Sequence, residues 1–424
     1  MPESSRKIRA RWIMLIRQKQ QRKNKMERKN ISLRESSKFM DQLREKFYFK
    51  REIEKVKVVD SLGRELAEPL ISKYESPLRD TATMDGFAVR SEDTNSYPLK
   101  IAGSIYAGDK EEYGIKKGEA MGIATGAYLP EGSDAVLRVE DSKIEDDNLL
   151  YGIPLKEGKY VIFAGTDYKK GEIILKKGHK IRAQDITVLS GLCVSEISVY
   201  KKFRVAVFSN GNEICSGLIR DTNSPMIMAF LKEFNCDPAF IGTVPDDFEQ
   251  VKKKIIESTE YDMAVTSGGV SVGEKDYVID AISELGEVVM HKVNTRPGKP
   301  LAVGIINKKL IFGLPGKPSG AFIAIELNLR RFFGAPPRPT RKYPIAENIN
   351  ILTPGFDYVV FVQIKNGKAI PMGCEGSPLN IFRRNEPYNV SVVASSPRSL
   401  VSDGYVITKT DLHKGDFVDV NLFF

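Results

Sequence analysis

Residues 262–273 read DMAVTSGGVSVG, in which a short apolar run ends directly in a serine and two glycines. The pattern DYVIDAISEL, apolar along one helical face, follows at residues 276–285. A buried strand, a glycine turn and a helix form the repeating unit of a parallel sheet covered by helices. We therefore predict an α/β fold around this turn.

The same alternation of strand and helix extends over residues 202–336. Further runs that indicate strands are RVAVFS (204–209), AFIGTV (239–244), VVMHKV (288–293), PLAVGII (300–306) and KLIFGL (309–314). Helical patterns occur at residues 224–234, 248–257 and 319–333. The links are short and the strands are apolar on both faces, which predicts a mostly parallel sheet in an α/β domain.

The flanking segments differ in character from this domain. Residues 78–171 consist of short alternating runs broken by Gly, Asp and Ser, which predicts a β-rich domain. Residues 36–77 and 172–201 are expected to form an extended linking domain, with an amphipathic helix over residues 36–60. After a proline-rich linker, residues 337–424 contain short strands typical of a small C-terminal β-domain. The fold class is thus a multi-domain α/β protein.

The positive charge of the chain lies in its first residues. Residues 1–30 carry eleven Lys or Arg and two acids, which accounts for the whole net charge of +9. The remaining chain has equal numbers of basic and acidic residues, which argues against nucleic-acid binding by its folded domains. Residues 1–35 are predicted to be a basic tail with three open interpretations: a disordered arm, an artefact of start-site choice with Met26 or Met40 as the true start, or a basic helix that contacts anionic lipid or RNA.

The four cysteines and three histidines are scattered, and no C-x-x-C pair occurs. This spacing argues against a zinc site and is typical of a cytoplasmic protein with reduced thiols. No apolar run approaches the roughly 20 residues that cross a bilayer. The first residues also lack the pattern of a signal peptide. We therefore expect a cytoplasmic protein without a transmembrane segment.

Glycines and cations follow the predicted strands, at the edge of a parallel sheet where ligands bind. Gly268 and Gly269 let the backbone approach an anion, and nearby amides and hydroxyls can then bind phosphate oxygens. The predicted ligand-binding residues of this turn are Ser267, Gly268, Gly269, Ser271 and Gly273. A second loop adds Pro315 and Gly316. Cations that would neutralise a phosphorylated or oxyanionic ligand are Lys292, Arg296, Lys299 and Lys317.

Three carboxylates also follow the strands. Glu213, Asp246 and Asp276 offer the hard oxygen ligands that Mg²⁺ prefers. Acids at strand ends are common helix caps, and glycine turns are often only structural. The combination of anion-binding and cation-binding groups is what predicts a phosphoryl ligand handled with a metal ion.

Motifs spread in order along the chain carry a resemblance to one family. Residues 80–89, DTATMDGFAV, are similar to D-x-S-A-M-D-G-Y-A-V, and residues 125–136, TGAYLPEGSDAV, to T-G-A-P-L-P-x-G-A-D-A-V. The glycine turn at residues 266–273, PGKP at 297–300 and GLPG at 313–316 match further family motifs. Over about residues 40–424, the chain resembles the molybdopterin molybdenumtransferases, the MoeA and gephyrin E-domain family.

The resemblance implies a role in molybdenum cofactor biosynthesis. The expected reaction inserts molybdate (or tungstate) into adenylylated molybdopterin and releases AMP, with Mg²⁺ assisting. The expected assembly is a homodimer, with a molybdopterin-adenylylating protein as a further partner. Asp85 and Thr125 match positions that reach the cleft from the partner subunit, and Ser319 matches a position on or beside the cleft lining. The catalytic residues that we predict are Asp85, Glu213, Asp276, Lys292 and Arg296.

Some residues depart from the family pattern. Gly122, Ile162 and Phe163 stand where the family has arginines, and Asn212 replaces a carboxylate. Lys317 and Arg296 preserve or add positive charge in the α/β domain. The losses leave an alternative open, in which the chain is a non-catalytic or scaffolding paralogue that binds molybdopterin.

Overall fold

The structure, a computed structural model, describes residues 30–424 except residues 110, 146–147, 271–275, 352 and 383–387. The chain forms two compact units. The larger comprises the residues up to Glu52 together with Lys201–Phe424, and the smaller comprises Ile53–Tyr200. Every helix in the described ranges is too short or too polar to serve as a membrane span.

Helix α1 (Leu33–Phe47) belongs to the larger unit. The hydroxyl of Ser32 accepts a hydrogen bond from the Glu35 amide at 3.2 Å, and the Glu35 carboxylate accepts one from the Ser32 amide at 2.7 Å. This reciprocal pair satisfies amides that the first helical turn leaves unbonded. Met40 and Leu43 then bury the apolar face of the helix in the α/β core.

The smaller unit is built mainly from β-sheets, which confirms the predicted β-rich part of the fold. Its strands are β1 (Ile53–Lys57), β2 (Leu70–Ile71), β3 (Thr81–Ala82), β4 (Gly86–Val89), β5 (Leu99–Ile105), β6 (Glu119–Ile123), β7 (Ala135–Arg138), β8 (Lys143–Glu145), β9 (Leu149–Tyr151), β10 (Val161–Ile162), β11 (Ile173–Leu175) and β12 (Glu196–Tyr200), and helix α2 (Ala183–Gly191) precedes β12. A six-stranded sheet has the order β7-β4-β6-β5-β9-β8, and the pairs β1-β12, β3-β10 and β2-β11 form two-stranded sheets.

Strand β1 corrects the expectation of one helix over residues 36–60. The side chains of Ile53–Lys57 alternate between exposed and half-buried, and the strand pairs antiparallel with Glu196–Tyr200. A period of two is the pattern of a strand, so the helix ends at Phe47 and the chain becomes extended.

The α/β part of the larger unit contains a six-stranded sheet. Its strands are β13 (Arg204–Asn210), β14 (Asp237–Val244), β15 (Met263–Ser267), β16 (Glu287–His291), β18 (Ala302–Ile306) and β19 (Lys309–Leu314), in the order β14-β13-β15-β19-β18-β16. The helices around it are α3 (Asn212–Cys215), α4 (Asn223–Glu233), α5 (Phe248–Ser258), α6 (Tyr277–Leu285), α7 (Pro318–Ala324) and α8 (Arg330–Phe332), and a π-helical turn (Ile325–Leu329) joins the last two.

This sheet is mostly parallel, as predicted. The pairs β14-β13, β13-β15 and β15-β19 are parallel, and β18 runs antiparallel to both of its neighbours. Asn307 and Lys308, both at positive φ, link β18 to β19. A two-residue link can only make a hairpin, because a parallel crossover needs a dozen or more residues. Phe208 and Phe312 are fully buried on these strands.

The C-terminal part of the larger unit forms the predicted small β-domain. Its strands are β20 (Thr340–Pro344), β21 (Asp357–Lys365), β22 (Lys368–Pro371), β23 (Gly404–Thr408) and β24 (Phe417–Leu422), and helix α9 spans Val390–Val393. Strand β17 (Thr295–Arg296) leaves the α/β part and pairs in parallel with β21, which sets Arg296 opposite Tyr358. Single 3-10 turns lie at Tyr48–Lys50, Val58–Asp60, Ser91–Asn95, Val139–Asp141 and Pro397–Leu400.

Candidate functional site

A cavity of about 620 Å³ lies beyond the carboxyl ends of β13, β14, β15 and β19. This is the edge at which ligands bind in open α/β sheets. Predicted site residues that line it are Glu213, Asp246, Ser267, Gly268, Gly269, Arg296, Lys299, Pro315, Gly316 and Lys317. The cavity therefore brings together residues from five separate loops.

The glycine turn after β15 packs too closely for side chains. Gly268 has φ +91°, and a Cβ at this position would lie 2.6 Å from the carbonyl oxygen of Asn210. Its own amide donates to the carbonyl oxygen of Leu314 at 3.1 Å. Gly269 has φ +65°, and its Cβ would lie 3.0 Å from Val278. These conformations and contacts require glycine and keep the turn close to two neighbouring strands.

The side chain of Ser267 points into the protein. Its hydroxyl accepts a 2.6 Å hydrogen bond from the amide of Asn223, which also donates to the carbonyl oxygen of Gly316 at 2.8 Å. Ser267 and Asn223 are both buried. Asn223 thus ties the glycine turn to the loop after β19. No sequence motif marked Asn223, although a polar residue at a helix start beside the sheet edge is a usable signal.

Two of the three predicted carboxylates are neighbours in the cavity. Glu213 lies on α3, and Asp246 follows β14. Asn212 holds the two loops together, since its side-chain oxygen accepts from the Asp246 amide at 3.0 Å. Asp276 lies directly before α6, and its charge acts on Lys292. Within the described ranges, no three His, Cys, Asp or Glu side chains are grouped to hold a metal ion.

Two cations of the cavity share an aromatic ring from the C-terminal domain. The guanidinium of Arg296 lies 4.2 Å from the centre of the Phe356 ring, and the Lys299 ammonium lies 5.1 Å from it. Arg296 also donates to the hydroxyl of Thr353 at 3.1 Å. A planar guanidinium fixed on a ring face in this way is oriented for an oxyanion.

His291 lies behind the glycine turn, and Lys292 follows it in the chain. An imidazole nitrogen of His291 is 3.4 Å from the carbonyl oxygen of Val270. Burial, together with the charge of Lys292, lowers the pKa of His291 to about 4, so that the ring is neutral near pH 7. Burial and the charge of Lys299 lower the pKa of Lys292, whereas Asp276 opposes this shift.

The C-terminal domain forms a wall of the cavity that the sequence did not reveal. Ser391 and Ala394, from α9 and the residue after it, line the cavity. Lys317 donates to the hydroxyl of Ser395 at 2.8 Å. Ser319, which the sequence predicts to contact the ligand, is completely buried, and its hydroxyl is hydrogen-bonded to that of Ser399. Ser319 therefore links α7 to the 3-10 turn at Pro397–Leu400.

The remaining predicted residues lie elsewhere. Asp85 and Thr125 belong to the smaller unit, where the Asp85 carboxylate accepts from the amide and the hydroxyl of Thr125 at 2.7 and 2.9 Å. Both hydrogen bonds lower the pKa of Asp85, and the one from the Thr125 backbone amide has the larger effect. The next residue, Gly86, has to be glycine, because a Cβ at this position would lie 2.0 Å from the carbonyl oxygen of Leu137. Ser271 and Gly273 lie outside the described residues.

Two regions of the chain match known protein families. Residues 31–193 match the MoeA N-terminal region (domain I and II), and residues 206–334 match the probable molybdopterin binding domain. A molybdopterin molybdenumtransferase of Haemophilus influenzae is 33% identical over 300 residues, which cover 67% of this chain and 74% of the relative. A Methanocaldococcus jannaschii protein named for molybdopterin biosynthesis is 31% identical over 393 residues, or 88% of this chain and 92% of the relative.

A solved structure shares this fold over most of the chain. The crystal structure of a molybdopterin biosynthesis MoeA protein from Pyrococcus horikoshii superposes with a TM-score of 0.75 at 29% identity. The match covers 93% of this chain and 100% of that chain. Two family regions, relatives matched over most of their length and a common fold lead to one conclusion: this chain belongs to the MoeA family.

Proposed function

We propose that the chain is a molybdopterin molybdenumtransferase of molybdenum cofactor biosynthesis. The substrates are molybdate (or tungstate) and adenylylated molybdopterin, and AMP is released. The observation that carries the proposal is one cavity in which a glycine turn, two carboxylates and two oriented cations meet. Such a cavity fits a phosphorylated substrate handled together with a second anion.

The cations of the cavity match the demands of the reaction. Release of AMP breaks a phosphoanhydride bond, and negative charge then develops on the separating oxygens. Arg296, held by Phe356 and Thr353, and Lys299 offer fixed positive charge for these oxygens. Lys292 is the proposed ligand of a second oxyanion: burial and the charge of Lys299 lower its pKa, and a bound oxyanion would, like Asp276, favour the charged ammonium.

Glu213 and Asp246 fit a Mg²⁺ ion that is shared with the substrate. Proteins commonly hold Mg²⁺ through one or two carboxylates, and substrate oxygens and water complete its shell. Bound there, the ion would neutralise phosphate charge. This division of ligands accords with two neighbouring carboxylates in the cavity and does not require Asp276 as a third ligand.

The proposed assembly is a cytoplasmic homodimer. In it, Asp85 and Thr125 approach the cavity of the other copy, as the family resemblance implies. Their mutual hydrogen bonds hold the Asp85 carboxylate in one orientation while it stays exposed. A molybdopterin-adenylylating protein is the proposed supplier of the substrate. The four cysteines are free thiols, in accord with a reducing compartment.

The test is a turnover assay with adenylylated molybdopterin, molybdate and Mg²⁺, in which AMP release and metal incorporation are both measured. We expect Glu213→Gln and Asp246→Asn each to slow AMP release at least about 100-fold, because charge neutralisation in the transition state is lost. The control is Glu249→Gln, which removes an exposed carboxylate from α5 outside the cavity. Wild-type rates in a variant that carries both Glu213→Gln and Asp246→Asn would refute the assignment of the two carboxylates.

One observation favours the non-catalytic alternative. Ile162 and Phe163 replace family arginines, and their side chains are 37% and 46% exposed. Exposed apolar side chains in place of cations are more suited to a protein contact than to an anion site. Tight binding of adenylylated molybdopterin without any AMP release would identify the chain as a binding paralogue.

A further inference from the structure

A second cavity, of about 1080 Å³, lies at the amino ends of strands in the α/β sheet, opposite the first cavity at their carboxyl ends. Arg204, Met263 and Lys309, the first residues of β13, β15 and β19, line it. Strand β13 is seven residues long, so about 20 Å separates this cavity from the first one. All of its lining residues belong to the larger unit. We call this second cavity the basic groove.

Cations dominate the lining of the basic groove. They are Lys46, Lys50, Arg51, Lys201, Lys202, Arg204, Lys308 and Lys309. Two carboxylates, Glu52 and Asp262, also line it. Outside the tail, the chain is electrically balanced, so this concentration of one sign in one cavity is a local feature of the fold.

Both carboxylates already have cationic partners. Lys201 lies 2.6 Å from Glu52. Asp262 lies 3.7 Å from Lys309 and 3.9 Å from Arg204. By contrast, four further lysines of the groove have no ion pair within 4 Å in the part of the chain that the structure describes: Lys46, Lys50, Lys202 and Lys308. A surplus of positive charge therefore remains after the internal pairs are formed.

The surplus lysines are held by well-packed segments. Lys308 is presented by the two-residue hairpin between β18 and β19. Next to Lys50, the guanidinium of Arg51 lies 3.8 Å from the centre of the Tyr48 ring and donates to the Tyr48 carbonyl oxygen at 2.8 Å. Lys202 precedes Phe203, which is buried beneath the groove. Three separate segments thus hold like charges around one cavity, and a bound anion would relieve their repulsion.

We propose that the basic groove binds a small soluble anion with two or more phosphoryl groups. Several lysines in one cavity suit a ligand whose charges are close together, and lysine ammonium groups bind phosphate oxygens as point charges. The cations surround a single cavity, whereas a nucleic-acid strand is bound along an extended surface on which successive bases stack on aromatic side chains. This site is independent of the proposed transferase cavity.

The test is isothermal titration of the full chain with inorganic tripolyphosphate. We expect the charge-reversal variant Lys50→Glu, Lys202→Glu and Lys308→Glu to bind at least about tenfold more weakly, because three attractive charges become repulsive. The matched control reverses Lys342, Lys365 and Lys368, which are exposed on the C-terminal domain, and so has the same net charge. We expect binding by this control to stay within about twofold of wild type and to weaken with added salt.

A second pair of measurements separates the two cavities. The variant Arg296→Met with Lys299→Met should retain tripolyphosphate binding in the groove, and tripolyphosphate should slow hydrogen exchange at residues 46–52 and 305–310. Thermal unfolding verifies that each variant is folded, and the neutral triple variant to Gln replaces the Glu variant if the latter is not. Equal loss of binding in the groove variant and its control would overturn the proposal, as would binding that only the Arg296 and Lys299 variant abolishes.

Discussion

The side-chain amide of Asn223 donates a 2.6 Å hydrogen bond to the hydroxyl of Ser267, and both residues are buried. Ser267 belongs to the motif that we expected to bind phosphate oxygens. Because its hydroxyl is engaged inside the protein, the motif presents its backbone and glycines to the cavity, while the serine supports them from behind. The role of Ser267 then resembles that of a structural tether.

We therefore predict that Ser267→Ala affects stability more than substrate binding. Loss of the hydroxyl leaves a buried amide donor with one partner fewer, which should lower the free energy of unfolding by about 1–2 kcal/mol. The KM for adenylylated molybdopterin should change less than about threefold. Denaturant unfolding and steady-state kinetics measure the two effects. A large rise in KM at unchanged stability would show that Ser267 contacts the ligand directly.

The second prediction concerns Gly268→Ala. This residue has φ +91°, and its Cβ would lie 2.6 Å from the backbone oxygen of Asn210. Backbone strain and the clash together should lower the free energy of unfolding by at least about 2 kcal/mol and displace the turn, so that AMP release is lost.

Gly355→Ala is the matched control for this substitution. Gly355 has φ +85°, and nothing lies within 4 Å of its added Cβ, so that only the backbone strain of about 1 kcal/mol remains. If Gly268→Ala were no more destabilising than Gly355→Ala, the close approach between the glycine turn and β13 would not be important.

The sequence predicts the edge of the sheet that holds the cavity, but only part of its wall. Glu213, Asp246 and Gly268 each follow an apolar strand, and parallel strands carry their carboxyl ends to a common edge. Phe356 and Ser391 come from a different domain, and their approach depends on tertiary packing that no local pattern records. The inward orientation of the Ser267 side chain cannot be predicted from the sequence either, because its hydrogen-bond partner, Asn223, lies in another loop.

Helix and strand assignments show the same division. The alternation of β13 to β16 with helices is predicted from the sequence because these strands are apolar on both faces. The expectation of a helix over residues 53–57 is wrong because an alternating pattern of five residues is too short to identify a strand. This strand is specified by its pairing with residues 196–200. Long-range pairing therefore overrides a weak local preference.

The third prediction tests the platform formed by Arg296 and Phe356. Arg296→Lys keeps the charge but loses the planar group that lies on the ring and bonds to Thr353, so Kd for adenylylated molybdopterin should rise about tenfold. Arg296→Met loses the charge as well, and Kd should rise about 100-fold. Arg341→Lys and Arg341→Met, at an exposed position on β20, control for general effects of charge. Equal losses for Lys and Met would show that orientation by the ring is unimportant.

The fourth prediction concerns the pH dependence of stability that His291 causes. Burial lowers the pKa of this residue to about 4. In the unfolded chain this imidazole titrates near its ordinary pKa of about 6.5. Between these two values the unfolded chain binds a proton that the folded chain does not, so stability contributed by the neutral ring is present above about pH 6.5 and is lost as the pH falls toward 4. The loss should amount to about 2 kcal/mol, reduced from the full shift because the ring is partly accessible to water.

His291→Gln should remove this dependence, because glutamine does not titrate. Chemical denaturation at pH 7 and pH 4.5 should show a smaller decrease in the free energy of unfolding for this variant than for wild type. Any constant cost of losing the contact with the Val270 carbonyl cancels in the comparison between the two pH values. The exposed residue His413 provides the control, and His413→Gln should retain the wild-type decrease. If His291→Gln lost as much stability on acidification as wild type, the imidazole would not be excluded from protonation by burial, and the packing described behind the glycine turn would be incorrect.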